Sequence, residues 1–182
     1  MENNITTELK KNLEIVAAVA FIQEAHKGAL YGKMPYFLHP VAVASELATL
    51  VGDLEAITTP DNVSRGDNYL LGDIMIAALL HDVIEDTDYT HTDLRDVWGD
   101  QIADMVLDVT SDKAVPYLDN IKRIVDTDNI GSMLVKLADN RVNRSGDKSA
   151  MDPARASKLN TRYDASMVML TEGLAARGYK VK

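Results

Sequence analysis

His81 and Asp82 stand side by side at the end of the apolar run Ile74-Met75-Ile76-Ala77-Ala78-Leu79-Leu80, and Val83-Ile84-Glu85-Asp86-Thr87 follows at once. One imidazole and three carboxylates therefore occupy six consecutive residues, directly after a segment that reads as buried. Unpaired charge is costly to bury, so such groups are normally paired or bind a metal. The dyad asks for a cation and for further ligands. Two other segments offer donors in apolar surroundings. His39, in Tyr36-Phe37-Leu38-His39-Pro40, stands at a helix start; taken alone, a capping or packed histidine explains it best. Asp139, in Val135-Lys136-Leu137-Ala138-Asp139-Asn140-Arg141, follows another apolar run; taken alone, it is explained as well by pairing with Arg141. Taken together, donors on separate apolar helices can converge in a bundle core, which is how helical bundles build metal sites. Imidazole and carboxylate without thiolate suit Mn²⁺, Fe²⁺ or Zn²⁺, and six-coordinate geometry with open positions favours Mn²⁺.

The elements that must position these groups read as helices nearly throughout. From about Thr7 to Lys27, Leu9, Leu13, Val16, Ala17, Ala20, Phe21 and Ala25 recur close to a 3.6 period. Residues 29–38 form a connector with Gly32 and Pro35, and a helix starts near His39-Pro40 and runs to about Val51. The polar stretch 53–69 reads mostly as a long loop, and the buried helix follows from about Leu71 to Ile84. Thr92 is a cap for a short helix with Leu94, Val97 and Trp98 inside, ended by Gly99. Helices then follow from Gln101 to about Thr110, from Pro116 through Leu118, Ile121 and Ile124, from Ile130 to about Val142, and from about Ala154 to Ala176. No strand alternation or hairpin signal stands out. The expectation is an all-α helical bundle of roughly seven to nine helices.

Bulk composition narrows the function classes. At 182 residues the chain is expected to be one domain with a substantial core. It has no cysteine, which removes disulfides and thiolate metal sites. The longest apolar run, Ile15 to Ile22, falls far short of a membrane span, and the N-terminus has no signal-peptide pattern, so the cytoplasm is the default. With 28 acidic and 19 basic residues the formal charge is −9, which argues against a broad nucleic-acid footprint. It leaves room for a phosphorylated small molecule, held by a metal and a few local cations.

The ordered set His39, His81-Asp82 and Asp139 resembles the signature of the HD-domain phosphohydrolase superfamily. Longer runs resemble the hydrolase domain of the RelA/SpoT family: Ala25-His26-Lys27-Gly28, Pro35 to Ala44, Ala77 to Thr87, and Val135-Lys136-Leu137-Ala138-Asp139. Trp98 to Val106 with Val109-Thr110 resembles the helix between those motifs. The likeness runs from about residue 14 to residue 170, with no synthetase segment, so the chain looks like a stand-alone small alarmone hydrolase of the Mesh1 type spanning residues 1–182.

The resemblance implies an HD-domain bundle holding one Mn²⁺ on His39, His81, Asp82 and Asp139, and hydrolysis of the 3′-pyrophosphate of ppGpp or pppGpp to GDP or GTP and pyrophosphate. It implies that Glu85 and Asp86, one helical turn beyond the dyad, orient or deprotonate the attacking water. Asn143 matches the family asparagine that contacts the nucleotide. Lys136, and Lys158, Arg162 and Tyr163 on the last helix, are further candidates for substrate contact, each weighed against a solvated or core position. His26 matches a family position, although local structure at a helix end explains it slightly better. The departure lies between Gly28 and Pro35, one residue shorter than the family pattern and without its arginine. There Tyr31 is a candidate to stack on a base and Lys33 to hold a phosphate. That change keeps two alternatives open: an HD phosphohydrolase acting on NADPH or a nucleoside phosphate, and a non-catalytic alarmone-binding regulator.

Overall fold

Two helices of this chain are buried on nearly every side, and they form its interior. The helix α3 (Leu71–Leu80) buries Ile74 and then every residue from Ile76 to Leu80, and α8 (Ile130–Ser145) buries every residue from Ile130 to Asn140. α3 beyond Asp73 has no polar face and has to be surrounded, while the polar side chains that α8 buries are paired, Ser132 with Asp108, Lys136 with Asp139 and Asn140 with Ser166. In the computed structural model, which describes residues 2–52, 54–56 and 71–181, the other helices supply that surrounding. α2 (Leu38–Gly52) packs on both α3 and α8. α1 (Glu2–Ala25) covers α3, and α6 (Asp100–Val109) lies against both central helices. α9 (Pro153–Ala176) lies on α8 and on α7 (Tyr117–Asp126), and the short α4 (Val83–Asp86) and α5 (His91–Trp98) complete nine helices among the described residues. None of them is long and apolar enough to cross a membrane. The architecture is all-α, as expected.

Two small antiparallel ladders were not foreseen. β1 (Leu30–Tyr31) pairs with β2 (Met34–Pro35), and β3 (Leu54–Ala56) pairs with β4 (Tyr179–Val181). The first is a hairpin turning on Gly32 at φ +62°, in the position that a type II′ turn reserves for glycine. Strands of two or three residues are too short to show alternation. The second ladder takes its first strand from the stretch read as a loop; the rest of that stretch, residue 53 and residues 57–69, lies outside the described residues.

Four local readings are corrected. The inner face of α1 is formed by Ala18 and Ile22 with Ile15, Val19 and Phe21, whereas Leu9, Leu13 and Val16 are 58–66% exposed and Ala17 and Ala20 are exposed. Residues 15–22 are apolar without interruption, so periodicity could not choose a face. The choice follows from α3, where Lys11 lies across Gly72 and pairs with Asp73 at 2.7 Å. The cap of α5 is Thr90, not Thr92: Thr90 and Asp93 close a capping box, which Thr92 could not do with Arg95 three residues on. Val97 and Leu118 point outward, at 64% and 36% exposure. Finally, the run from Leu71 does not continue to Ile84. It breaks at His81-Asp82 and resumes as α4, because the His81 ring takes the Ala78 carbonyl at 2.9 Å in competition with the helical ladder.

Candidate active site

The fold brings the start of α2, the end of α3 and the middle of α8 to one point. His39 enters on α2, His81 and Asp82 on the turn after α3, and Asp139 on α8. His39, His81 and Asp139 are buried, and Asp82 is half-buried. His81 Nε2 lies 3.0 Å from Asp82 Oδ2 and 3.7 Å from Asp139 Oδ1. His39 Nε2 lies 3.6 Å and 3.3 Å from the same two oxygens. Donor atoms of His39, His81 and Asp82 all fall within 4.8 Å of one another, which is metal-ligand spacing.

The chemistry of these donors fits a divalent cation. His81 Nδ1 faces the Ala78 carbonyl, so that nitrogen carries the hydrogen and Nε2 presents its lone pair to the cluster. Nε2 is buried and has no hydrogen-bond partner among the described residues, since its approach to Asp82 is not aligned for one. A second-layer carbonyl orienting a histidine whose other nitrogen is free is the usual arrangement around a bound metal.

The electrostatics show the cluster's demand for positive charge, for which a second proton on the His81 ring and a divalent cation would compete. Burial disfavours a charge on the His81 ring, but Asp82 and Asp139 outweigh it and lift its pKa to about 9. Burial pushes Asp82 up, and His81 more than reverses this, leaving the carboxyl well below its usual range. Asp139 is likewise held down, burial being outweighed by Lys136 and the imidazoles. The Lys136 ammonium is buried 2.9 Å from Asp139 Oδ2, and despite that burial Asp139 keeps it charged. Lys136 is thus not a surface residue; it is paired with Asp139 at the pocket's edge. Arg141, the alternative partner considered for Asp139, pairs with Glu46 instead.

Glu85 and Asp86 form one wall of a pocket of about 400 Å³ over this cluster. Although the helix breaks at the dyad, the Asp86 N–H still reaches the Asp82 carbonyl at 2.9 Å, which preserves the one-turn spacing. Glu85 Oε2 accepts the Ser111 N–H at 3.0 Å. That loop is held by Asn120, whose amide accepts from the Asp112 N–H and donates to the Asp112 carbonyl. Tyr36 places its hydroxyl between two carboxylates, 2.7 Å from Asp82 Oδ2 and 2.8 Å from Asp86 Oδ2. Behind it lies the buried His26 ring, 4.8 Å from the Tyr36 ring, its pKa lowered by burial. His26 therefore does more than end a helix; it backs the tyrosine.

Of the substrate candidates, Tyr31, Lys136, Asn143, Arg162 and Tyr163 line this pocket. Tyr31 stacks on His39 with ring centroids 4.8 Å apart and donates to Asn143 Oδ1 at 3.0 Å, while Asn143 donates to Asp139. Lys33 is exposed in the hairpin turn and is not among the residues lining the pocket, and Lys158 lies in a neighbouring groove. Sequence reasoning missed the roles of Tyr36, the 111–115 loop, Tyr117 and Asn120. Only Tyr36 carried a signal, as a hydroxyl in an otherwise apolar approach to His39.

Comparison with known proteins sets this site among relatives. A model of the HD domain matches residues 18–144. The chain is 34% identical over 127 residues to a guanosine-3′,5′-bis(diphosphate) 3′-pyrophosphohydrolase of Haemophilus influenzae, covering 64% of this chain and 16% of that protein. It is 33% identical over 112 residues to the guanosine-3′,5′-bis(diphosphate) 3′-pyrophosphohydrolase MESH1 of Mus musculus, covering 60% of this chain and 54% of MESH1. A solved structure described as a metazoan ortholog of SpoT that hydrolyzes ppGpp and plays a role in starvation responses aligns with a TM-score of 0.60 and 20% identity, over 90% of this chain and 95% of that one. At that identity the likeness establishes the fold. The chain spans about half the length of MESH1 and about a sixth of the bacterial relative.

Proposed function

Since this chain belongs to the HD domain family, whose model matches residues 18–144, we propose that it is a Mn²⁺-dependent phosphohydrolase that removes the 3′-pyrophosphate of ppGpp and pppGpp. The observation that carries this reading is the convergence of His39, His81, Asp82 and Asp139 beneath a pocket walled by Glu85 and Asp86. The curated names of the relatives support the choice of substrate. Residues 1–182 act as one HD-type domain in the cytoplasm, with a nucleotide rather than nucleic acid or membrane as partner.

His39, His81, Asp82 and Asp139 would hold the ion. A divalent cation there would supply positive charge to the phosphoryl oxygens and lower the pKa of an attacking water, roles that Mn²⁺, Fe²⁺ or Zn²⁺ could fill. Water adds to the phosphorus next to the ribose, and the bond from that phosphorus to the 3′ oxygen breaks. Pyrophosphate and GDP or GTP are the products. One water proton goes to Glu85 and is released to solvent, and the leaving 3′ oxygen takes one up from solvent. Glu85 is suited to this because the Ser111 N–H fixes Oε2, leaving Oε1 for the water, with Lys113 Nζ 4.0 Å away. Asp86, tied to Tyr36, orients the same water. Arg162, Tyr163 and Asn143 hold the nucleotide. Tyr31, against His39, provides an aromatic face where the family arginine is lost.

The test is turnover of ppGpp, pppGpp, NADPH and common nucleotides with Mn²⁺, with the phosphorus products identified by ³¹P NMR. Pyrophosphate from ppGpp is the expected result. Orthophosphate from NADPH alone would move the chemistry to another nucleotide, and binding without turnover would make the protein a regulator. Asp82→Ala should lose both Mn²⁺ binding and activity; an active Asp82→Ala protein would refute the site.

A further inference from the structure

Beside the catalytic pocket runs a second groove of about 760 Å³, lined by Arg155, Lys158 and Arg162 over a floor that includes Pro116, Leu118 and Leu159. The three cations are three and four residues apart along α9, so they share one helix face. Among the described residues none of them holds a carboxylate, which is unusual in a chain with 28 acidic side chains. Apart from Lys33 and Lys180, every other described Lys and Arg reaches a carboxylate or a main-chain carbonyl. Arg162 is held by aromatic faces instead, its guanidinium 4.3 Å from the Tyr117 ring centre and 5.2 Å from that of Tyr163. Its Nε is buried without a hydrogen-bond partner among the described residues. Tyr117 and Arg162 line both cavities, so the groove and the pocket share a wall and one ligand can lie across both.

We propose that this groove holds the non-reacting phosphate chain of the nucleotide, with Arg155 and Lys158 gripping phosphates at the end remote from the His39–His81–Asp82–Asp139 cluster. The inference rests on the phosphohydrolase reading above. Unpaired cations over an apolar floor attract an anion more strongly than the same cations in open water. Arg155 adds a donor fork suited to phosphate, and Lys158 a point charge. The protein then ranks substrates by how many phosphates they carry at the far end, a selectivity independent of the metal cluster.

The test compares the Mn²⁺-loaded wild type with the Arg155→Gln/Lys158→Gln double variant on guanosine 3′-diphosphates bearing one, two or three phosphates at the 5′ position. In the wild type KM should fall roughly fivefold for each phosphate gained by the groove, about the worth of one modest hydrogen bond. In the variant that ladder should flatten to the value of the monophosphate, with the change carried by KM. A wild-type KM indifferent to 5′ phosphate number overturns the groove and leaves the catalytic reading standing, as does an equal rise in KM for all three substrates in the variant. No turnover of any of the three by the wild type overturns the catalytic reading and the groove with it.

Discussion

Replacing Tyr36 by Phe isolates one hydroxyl. The ring contacts with His26 at 4.8 Å, His39 at 6.0 Å and Tyr31 at 6.2 Å remain available to phenylalanine, so packing is preserved. What disappears is an O–H shared by Asp82 and Asp86. Burial and the Asp82 charge push the phenol's ionisation far above its usual range, so it stays a donor at any working pH. A single proton makes a single strong bond, worth about 1.5–3 kcal/mol to a charged acceptor. Asp86 is exposed, and solvent screening reduces that to about 1–2 kcal/mol. In the proposed site Asp82 would hold the cation, which leaves the hydroxyl to Asp86. The loss should then appear as a roughly 5- to 30-fold fall in kcat, while Mn²⁺ affinity changes by less than about threefold. Steady-state kinetics and calorimetric Mn²⁺ titration measure the two separately. An unchanged kcat would refute the claim that Tyr36 organises Asp86. A large loss of Mn²⁺ affinity, with kcat restored at saturating Mn²⁺, would refute it too and assign the hydroxyl to Asp82.

Glu85→Gln keeps an oxygen for the Ser111 N–H but removes the proposed base; kcat should fall about 10²- to 10⁴-fold with Mn²⁺ binding retained, and near-normal turnover would remove Glu85 from the chemistry. Burial raises the Asp108 carboxyl above its ordinary pKa despite the Ser132 hydroxyl and Arg123, so the folded state binds this proton more tightly than the unfolded one and loses stability as pH rises through that window. Asp108→Asn should therefore raise Tm at pH 7 and lose its advantage below about pH 4, the unfolded aspartate pKa; equal Tm values at pH 7 would contradict the argument. Thr90→Ala should cost about 1 kcal/mol in denaturant unfolding, whereas Thr92→Ala should cost less than about 0.5 kcal/mol; the reverse order would contradict the capping box.

By itself the sequence determined the helical class and the four residues of the cluster. Both are written in short range. A run such as Ile74 to Leu80 has no polar face and must be interior, and an imidazole and carboxylates fastened to its end need compensation wherever that helix lies. The matching of His39 and Asp139 to the dyad was legible because each follows its own apolar segment in a recognisable order. What only the tertiary structure decided depends on which surfaces meet. α1 offered two apolar faces, and the ion pair of Lys11 with Asp73 selected one. Lys136 read equally as a phosphate contact or a surface pair, and its burial against Asp139 appeared only once α8 became central. The hydroxyl of Tyr36 reaches Asp82 and Asp86, 46 and 50 residues away in the chain, and the Ser111 N–H reaches Glu85 across 26. No periodicity encodes such meetings, because they arise from the crossing of helices whose relative placement is set by the packing of the whole core.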